Sequence, residues 1–391
     1  MSVATADARR TGDWLSAPGF GVYVHIPFCL HRCHYCDFNA YEGMSDLHDR
    51  YARALVRAIS GRHGTSERVT SVFFGGGTPT LLPPSTLARI LGALRERFEL
   101  DPECEITIEA NPETVDEAVF EQLLEAGFNR FSIGVQSLDE RVLKFLGRTH
   151  SAAGALGAVS AARKAGARDV NADLIYGSPW ERPDDWRRSL DGVMAAEPDH
   201  VSAYALTIEE KTPLHTLVAT GRAPDVDPDV QAERHGVAEE MLGAAGYGRY
   251  EISNWARPES ASRHNVLYWS AGDYAAFGAG AHGHLGGRRF WAIRRPHDFV
   301  VAVEAGLTTE AGSERLDAEE RAGEALMLGL RLTSGIDAAR FAARFGSSAL
   351  GSRATALQSL EDDGLLRRSG GRLWLSDRGT LLANEVCSRL L

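Results

Sequence analysis

Short apolar runs alternate with amphipathic segments through the first half of this 391-residue chain. The runs are rich in β-branched and aromatic residues, as strands are, and the segments between them have helical periodicity, as at 85–98 and 116–127. Six strands are predicted, at 22–26, 71–76, 105–111, 130–136, 169–177 and 200–207. This alternation predicts parallel strands with right-handed crossovers, in either a partial barrel or an open doubly wound sheet.

The alternation stops near residue 210, and the chain becomes mainly helical from about residue 314. Three helical segments there precede "LLRRSGGRLWLS", which has the pattern of a hairpin. Helices followed by a two-stranded wing predict a winged-helix-like domain. Residues 314–391 contain 11 Arg, no Lys and 11 Asp plus Glu. This neutral domain is not expected to bind DNA, because DNA binding depends on neutralising phosphates with basic side chains.

Composition and charge exclude several classes of protein. The chain has no apolar run of 18 residues, so no membrane-spanning helix is expected. Its net charge of −11 disfavours nucleic acid as a partner. The first 19 residues lack the apolar core of a secretion signal and have the composition of a disordered leader. An odd count of 5 cysteines argues against a disulfide framework, so a cytoplasmic location is predicted.

Three of the five cysteines, Cys29, Cys33 and Cys36, lie on one loop directly after the first predicted strand. A cubane iron–sulfur cluster takes one thiolate per iron, so three cysteines leave one iron open to a small chelating molecule. The spacing C-x3-C-x2-C therefore predicts a [4Fe-4S] cluster. The alternative is a zinc site, whose fourth ligand would come from His25, His31, His34 or Asp37.

The cysteine spacing, with Tyr35 before the last cysteine, resembles the radical S-adenosylmethionine (SAM) superfamily. The resemblance implies that the open iron binds the amino and carboxylate groups of SAM, which is cleaved to a 5′-deoxyadenosyl radical. It also implies an incomplete (β/α)6 barrel with the cluster loop at its carboxyl-terminal rim. The chain then divides into a disordered leader (1–19), the barrel (20–230), a small α+β extension (231–313) and the winged-helix-like domain (314–391).

Polar residues and glycines also follow the other predicted strands. The run "GGGTPT" brings backbone N–H groups close to a ligand, and the family uses it to hold the amino group of SAM. Carboxylate, amide and guanidinium groups at the next strand ends suit a ligand made of adenosine and an amino acid. The SAM-binding residues implied by the resemblance are Tyr23, Tyr35, Gly76, Gly77, Thr78, Glu109, Gln136, Arg148 and Asp173.

Five motifs narrow the resemblance to the coproporphyrinogen III oxidase-like branch over about residues 20–300: "YVHIPFC", "FFGGGTPT", "EANPE", "GVQS" and "DLIYGSP". The oxidases of this branch have a further cysteine two residues after the third, where this chain has Phe38. The haem chaperone HemW group lacks that cysteine and carries H-N-x-x-Y-W, to which "HNVLYW" at 264–269 is similar. His264 is therefore the expected axial ligand of haem iron, with His282 and His284 as competing candidates.

The resemblance to the chaperone group implies a carrier that binds haem as cargo and delivers it to haem-requiring respiratory proteins. It further implies a haem donor such as bacterioferritin, a homodimer that depends on the cluster, and a C-terminal domain that covers the barrel mouth or meets partners. The alternative function is that of an oxygen-independent coproporphyrinogen III oxidase. The sequence leaves open whether SAM is cleaved and whether the protein associates with a membrane during haem delivery.

Overall fold

The computed structural model describes residues 19–61 and 67–391. Residues 1–18, which make up nearly all of the predicted disordered leader, lie outside the described residues. Among the described residues, no helix is both long enough and apolar enough to cross a membrane. A large α/β part and a smaller C-terminal domain each have their own hydrophobic core.

Six parallel strands form the centre of the large sheet and follow one another in chain order. They are β1 (Phe20–Ile26), β2 (Val69–Gly76), β3 (Leu100–Ala110), β4 (Arg130–Gln136), β5 (Asp169–Tyr176) and β6 (His200–Ala205). Each coincides with a predicted strand, and the largest difference is that β3 begins at Leu100 rather than Glu105. The predicted α/β fold with a six-stranded partial barrel is confirmed.

Helices on the outer face connect these strands. They are α1 (His48–Gly61), α2 (Pro84–Arg97), α3 (Glu117–Ala126), α4 (Glu140–Leu146), α5 (Ala152–Lys164) and α6 (Pro183–Ala195). The Asp116 side chain accepts the Val119 N–H where α3 begins. The helix ends at Gly127, whose φ of +97° is left-handed, as is usual for a glycine C-cap.

Side chains alternate along each strand between the helices and the interior of the barrel. On β1, Val22, Val24 and Ile26 are fully buried in the hydrophobic core. The positions between them face inward and are more polar. Inward-facing residues on the other strands include Ser71, Glu105, Thr107, Glu109, Arg130, Ser132, Asn171, Asp173, His200 and Ser202.

Residues 231–313, the predicted extension, lengthen the sheet at both edges. The remaining helices of the large α/β part are α7 (Pro213–Ala219), α8 (Pro228–Ala244), α9 (Arg263–Trp269) and α10 (Pro296–Glu304). The added strands are β7 (Gly248–Glu251), β8 (Asn254–Ala256), β9 (Asp273–Phe277), β10 (His282–Leu285), β11 (Arg288–Ala292) and β12 (Glu310–Arg315). Strand β9 pairs in parallel with β1, and β8 pairs antiparallel with β6. Over the described residues the strand order is β12-β11-β10-β9-β1-β2-β3-β4-β5-β6-β8-β7.

The predicted barrel and extension share one hydrophobic core, which includes residues from Phe20 to Val303. The predicted boundary between them at 230/231 falls inside α8, which packs against α6 of the barrel. The boundary at 313/314 falls inside β12. Each predicted boundary cuts through a single helix or strand. Neither one coincides with a break between elements, so both divisions stay predictions.

The C-terminal domain has the predicted winged-helix outline. Its elements are α11 (Ala318–Gly329), β13 (Ile336–Asp337), α12 (Ala338–Phe345), α13 (Ala354–Asp362), β14 (Leu366–Ser369), β15 (Arg372–Leu375), α14 (Asp377–Leu381) and α15 (Ala383–Leu390). Strands β14 and β15 form the predicted antiparallel hairpin. The domain packs next to α9, where the Arg331 guanidinium lies 4.3 Å from the centre of the Trp269 ring.

Candidate functional site

The three-cysteine loop begins after β1, and backbone pairing fixes both of its ends. Phe28–Cys29 pairs in parallel with Tyr41–Glu42. All three thiols are half-buried and line one cavity of about 360 Å³, which we call the cysteine cavity. This cavity lies at the carboxyl-terminal ends of the strands, where the resemblance places the cluster loop.

Two side chains contact the thiols directly. The Thr78 hydroxyl lies 3.7 Å from Cys29 Sγ, and Arg148 Nη1 donates to Cys33 Sγ at 3.3 Å. A hydrogen bond and a cation both favour the thiolate form of cysteine. Burial has the opposite effect, because it raises the pKa of Cys29 to about 11 and also raises the pKa of Cys36. A metal must therefore displace protons from these thiols when it binds.

The spread of the cysteine side chains bears on the metal that they can hold. Within residues 19–61 and 67–391, no three His, Cys, Asp or Glu side chains are close enough together to ligate a single ion. Zinc requires its ligands to converge on one point, whereas each thiolate of a cubane binds a different iron. Three thiols that line one cavity fit the binding of one thiolate to each of three irons in a [4Fe-4S] cluster.

Arg148 has one buried donor without a partner. Its Nη2 donates to Asn111 Oδ1 at 2.8 Å and to the Gly134 carbonyl at 3.0 Å. Its Nε is buried and has no hydrogen-bond partner among the described residues. Leaving a buried N–H unpaired costs free energy, and an anionic ligand in the cavity would remove that cost. Arg148 thus fits the carboxylate of SAM.

Two carboxylates face the cysteine cavity from β3 and β5. Glu109 accepts the Gly76 N–H at 3.0 Å, and Asp173 accepts a hydrogen bond from Ser132 Oγ at 2.8 Å. Burial, reinforced by the charge of Asp173, raises the pKa of Glu109 to about 7. Burial also raises the pKa of Asp173. Hydroxyl or ammonium donors on a ligand would stabilise both carboxylates in their charged form.

The backbone is unusual at two positions of the cavity wall. Gly76 has a φ of +119°, and a Cβ there would lie 2.5 Å from Cε1 of His25, so only glycine is accommodated. Gln136 has a φ of +66° at the end of β4. A non-glycine residue in this region carries strain, which the surrounding structure tolerates most often at functional sites.

The structure brings most of the predicted site residues together. Those that line the cysteine cavity are Cys29, Cys33, Tyr35, Cys36, Gly76, Gly77, Thr78, Glu109, Gln136, Arg148 and Asp173. Sequence reasoning missed Asn111, whose side chain holds Arg148 and also donates to Thr78 Oγ1 at 2.9 Å. It also missed Tyr204, exposed on β6 at the same cavity. Asn111 had a usable signal, since it follows the end of β3 in "EANPE".

This donor set fits a cluster and SAM bound beside each other. The three cysteines would hold the cluster, Arg148 the carboxylate of SAM, and the backbone at Gly76 and Gly77 its amino group. Glu109 would accept hydrogen bonds from hydroxyl or ammonium groups of SAM. A cluster held there would supply the electron for any reductive cleavage of SAM. The chain's own groups would orient SAM and neutralise its charges.

Tyr23 faces a second cavity beside the first. This cavity has a volume of about 540 Å³ and is lined in part by Tyr23, His282 and Arg294, and we call it the β10 cavity. The Tyr23 hydroxyl lies 2.9 Å from Nδ1 of His25. The two cavities share a wall made of Phe38, Gly76 and Glu109.

His264 lies at the opposite end of the barrel from the cysteines. Its helix α9 lies against the amino-terminal ends of β2 and β3, where Ser71 Oγ is 2.8 Å from His264 Nδ1 and Glu105 accepts the His264 N–H. Its Nε2 lies 2.9 Å from the Tyr268 hydroxyl. Burial lowers the pKa of His264 to about 3. Because it is fully buried and both ring nitrogens have partners, ligation of haem iron by His264 would require α9 to move.

Sequence comparison places the chain among known proteins. The Radical SAM superfamily model matches residues 23–193, and the HemN C-terminal domain model matches residues 316–382. The chain is 42% identical to the "Heme chaperone HemW" of Mycobacterium tuberculosis over 95% of both chains. It is 32% identical to the HemW of Bacillus subtilis over 94% of this chain and 98% of that one.

Comparison with solved structures supports the same fold. The coproporphyrinogen III oxidase HemN of Escherichia coli superimposes with a TM-score of 0.81 over 100% of this chain and 93% of that chain. Sequence identity to HemN is 22%, so this likeness establishes the fold and not the reaction.

The six-stranded partial barrel and its cysteine loop define a radical SAM protein. Within that class, the chain belongs to the family of the heme chaperone HemW.

Proposed function

We propose that the protein is a haem chaperone, which binds haem as cargo and delivers it to haem-requiring respiratory proteins. The observation that carries the proposal is the 42% identity to a protein named heme chaperone HemW over 95% of both chains. Such coverage includes the cysteine loop, "HNVLYW" and the C-terminal domain together. It therefore supports a shared function of the whole chain more strongly than the fold does.

Phe38 supports the chaperone over the decarboxylase. The oxidases of the related branch carry a cysteine at this position, and here the side chain is an aromatic ring that is 65% exposed at the wall of both cavities. A large exposed apolar side chain at a ligand cavity is suited to packing against a flat macrocycle. A thiol at the same position would instead offer a reactive, metal-binding group.

The cluster and SAM would serve the assembly or release of the haem complex in this proposal. Haem donation by bacterioferritin, cluster-dependent dimerisation and the cytoplasmic location stay predictions from the resemblance and the sequence. The same holds for His264 as the axial ligand. Cleavage of SAM is not required for a carrier, because binding alone changes the stability of a complex.

The proposal is tested by loading and transfer. The anaerobically reconstituted protein is titrated with haemin, and the loaded protein is then mixed with respiratory membranes depleted of haem. We expect saturation at one haem per chain, followed by recovery of a haem-dependent respiratory activity that exceeds recovery with the same amount of free haemin. No saturation, or recovery that only equals that of free haemin, would contradict the proposal.

A parallel assay addresses the decarboxylase. The reconstituted protein, with SAM and a reductant, is incubated anaerobically with coproporphyrinogen III. We expect no loss of propionate side chains, whereas formation of protoporphyrinogen would establish the enzyme and overturn the carrier.

A further inference from the structure

We propose that haem binds in the β10 cavity with His282 as the axial ligand of the iron and Arg294 as the partner of a propionate. This inference rests on the proposed function, because it places the cargo of a haem chaperone. It moves the site from the buried end of the barrel, where His264 lies, to the end that carries the cysteines.

The state of its imidazole distinguishes His282 from the other histidines nearby. His282 is exposed on β10, lines the cavity, and neither ring nitrogen makes a hydrogen bond within the described parts of the chain. His25 lines the same cavity, but its ring nitrogens are occupied by Tyr23 and by the Asn39 carbonyl. His284 is not among the residues that line the cavity, and its Nδ1 pairs with Asp273 at 2.9 Å. Iron needs a free nitrogen lone pair, and His282 offers one without breaking an existing contact.

The protonation state of His282 also suits ligation. Partial burial and the neighbouring charge of Arg294 both lower the pKa of His282. The imidazole is therefore neutral at neutral pH, and the neutral form is the one that binds metals. The ring stacks on Trp291 of β11 with 5.9 Å between ring centres. That contact limits the orientations available to the imidazole.

The walls of the cavity provide the remaining contacts for haem. Phe38 is a large aromatic side chain that can pack on the face of the macrocycle, whereas Trp291, which stacks on the His282 ring, would meet the macrocycle with its edge. Arg294 is exposed, and its guanidinium makes no ion pair with any described residue, so it is free to bind a carboxylate. The volume of about 540 Å³ lies within the range of roughly 300–1,000 Å³ that is usual for ligand cavities.

The cavity is preformed, because Asn39 ties its two sides together. The Asn39 amide donates to the Ala279 carbonyl at 3.0 Å and to the Arg294 carbonyl at 2.9 Å. The end of the cysteine loop and the start of α10 are thus joined across the cavity. A preformed cavity loses less conformational entropy when the ligand binds.

The experiment compares histidine variants of the full-length reconstituted protein in titrations with haemin, each read as a difference spectrum against the haem-free sample. We expect His282→Ala to weaken haem binding at least tenfold and to change the Soret band. His297→Ala should titrate like the wild type, because His297 is an exposed histidine on α10, with 63% of its side chain accessible. Free imidazole should restore the Soret band of His282→Gly, which a structural role of His282 would not allow.

A second comparison tests the propionate contact. Arg294→Ala should weaken the binding of haemin severalfold with the Soret wavelength unchanged. It should bind haemin dimethyl ester, in which the propionates carry no charge, as well as the wild type does.

The outcomes separate the site from the function. If the wild type saturates with haemin and His282→Ala behaves identically, the β10 cavity is the wrong site and the carrier stands. Loss of binding in folded His264→Ala or His284→Ala, but not in His282→Ala, would overturn the location in the same way. If the wild type shows no saturable binding, the proposed function fails and the location fails with it.

Discussion

Arg148 contacts a thiol of the loop directly, because its Nη1 lies 3.3 Å from Cys33 Sγ. Replacing Cys33 with Ala removes one of three thiolates, and the remaining two cannot hold a cubane in place. We expect Cys33→Ala to lose the broad visible absorption of the cluster after anaerobic reconstitution. The control is Cys387→Ala, which alters a half-buried cysteine on α15 in the C-terminal domain. An unchanged spectrum in Cys33→Ala would contradict the cluster assignment.

Glu109 makes the stability of the ligand-free protein depend on pH. Its pKa is raised from 4.5 to about 7, so the folded protein retains a proton that the unfolded chain loses above pH 4.5. Stability therefore falls as pH rises from 4.5 to 7, by at most about 3 kcal/mol at 1.36 kcal/mol per pKa unit. Glu109→Gln keeps an acceptor for the Gly76 N–H and does not titrate.

The measurement is urea unfolding of the metal-free and SAM-free protein at pH 5 and pH 8. The difference in unfolding free energy between Glu109→Gln and the wild type should grow in favour of the variant at pH 8. Equal differences at the two pH values would show that Glu109 has an ordinary pKa.

Helix α9 shows what a motif in the sequence can and cannot indicate. The motif "HNVLYW" predicts His264 as an axial ligand through its resemblance to the H-N-x-x-Y-W motif of the chaperone group. The structure uses the same side chains for packing, since Phe73 stacks on the His264 ring and Tyr274 packs against Tyr268. Sequence alone could not show which end of the barrel the helix lies against.

The position of α9 gives a prediction about stability. His264→Ala removes a fully buried ring and leaves the hydroxyls of Ser71 and Tyr268 without their partner, so we expect a loss of about 2–4 kcal/mol. Tyr268→Phe removes one hydrogen bond only and should cost about 1 kcal/mol. Urea denaturation of the two variants measures both losses. A His264→Ala protein of wild-type stability that no longer binds haem would instead support His264 as the haem ligand.

The six central strands could be predicted because each has an apolar face toward the helices. The sequence after each strand also changes from the pattern of a strand to the periodicity of a helix. The edge strands were harder, since β7 and β8 are only 4 and 3 residues long. Strand β9 joins β1 by pairing Tyr274 with Gly21, and nothing local in the sequence encodes a contact between such distant residues. The cysteine cavity was predictable because its residues follow consecutive strand ends. The β10 cavity was not, because it forms between the cysteine loop and that distant edge.

At the scale of the whole molecule, the C-terminal domain lies away from the cysteines. Arg344 donates to the carbonyls of Ser270 at 2.6 Å and Ala271 at 2.5 Å, directly after α9. Among the described residues, neither the cysteine cavity nor the β10 cavity is lined by a residue of this domain. Of the two roles expected for this domain, covering the barrel mouth does not agree with these cavity linings, and meeting partners stays a prediction. Its Arg331 lies against Trp269 of α9, and Arg344 binds the residues directly after that helix, at the amino-terminal end of the barrel.

Decarboxylation would require the whole barrel mouth, at the carboxyl-terminal ends of the strands, to hold the substrate in place. Replacing Phe38 with Cys supplies the thiol that the oxidases have, but the other groups around the mouth still come from several distant segments. We expect Phe38→Cys to form no protoporphyrinogen from coproporphyrinogen III under anaerobic conditions with SAM and a reductant. Measurable product from this single variant would show that one thiol is enough.

The wall shared by the cysteine cavity and the β10 cavity couples ligand binding in one cavity to ligand binding in the other. A molecule that shifts Phe38 or Glu109 from one side changes the affinity on the other, and thermodynamics requires the reverse effect to be of equal size. SAM could therefore act as an allosteric effector of haem affinity, raising it during loading or lowering it at hand-over, without being consumed. Bound haem would in turn change the affinity for SAM by the same factor.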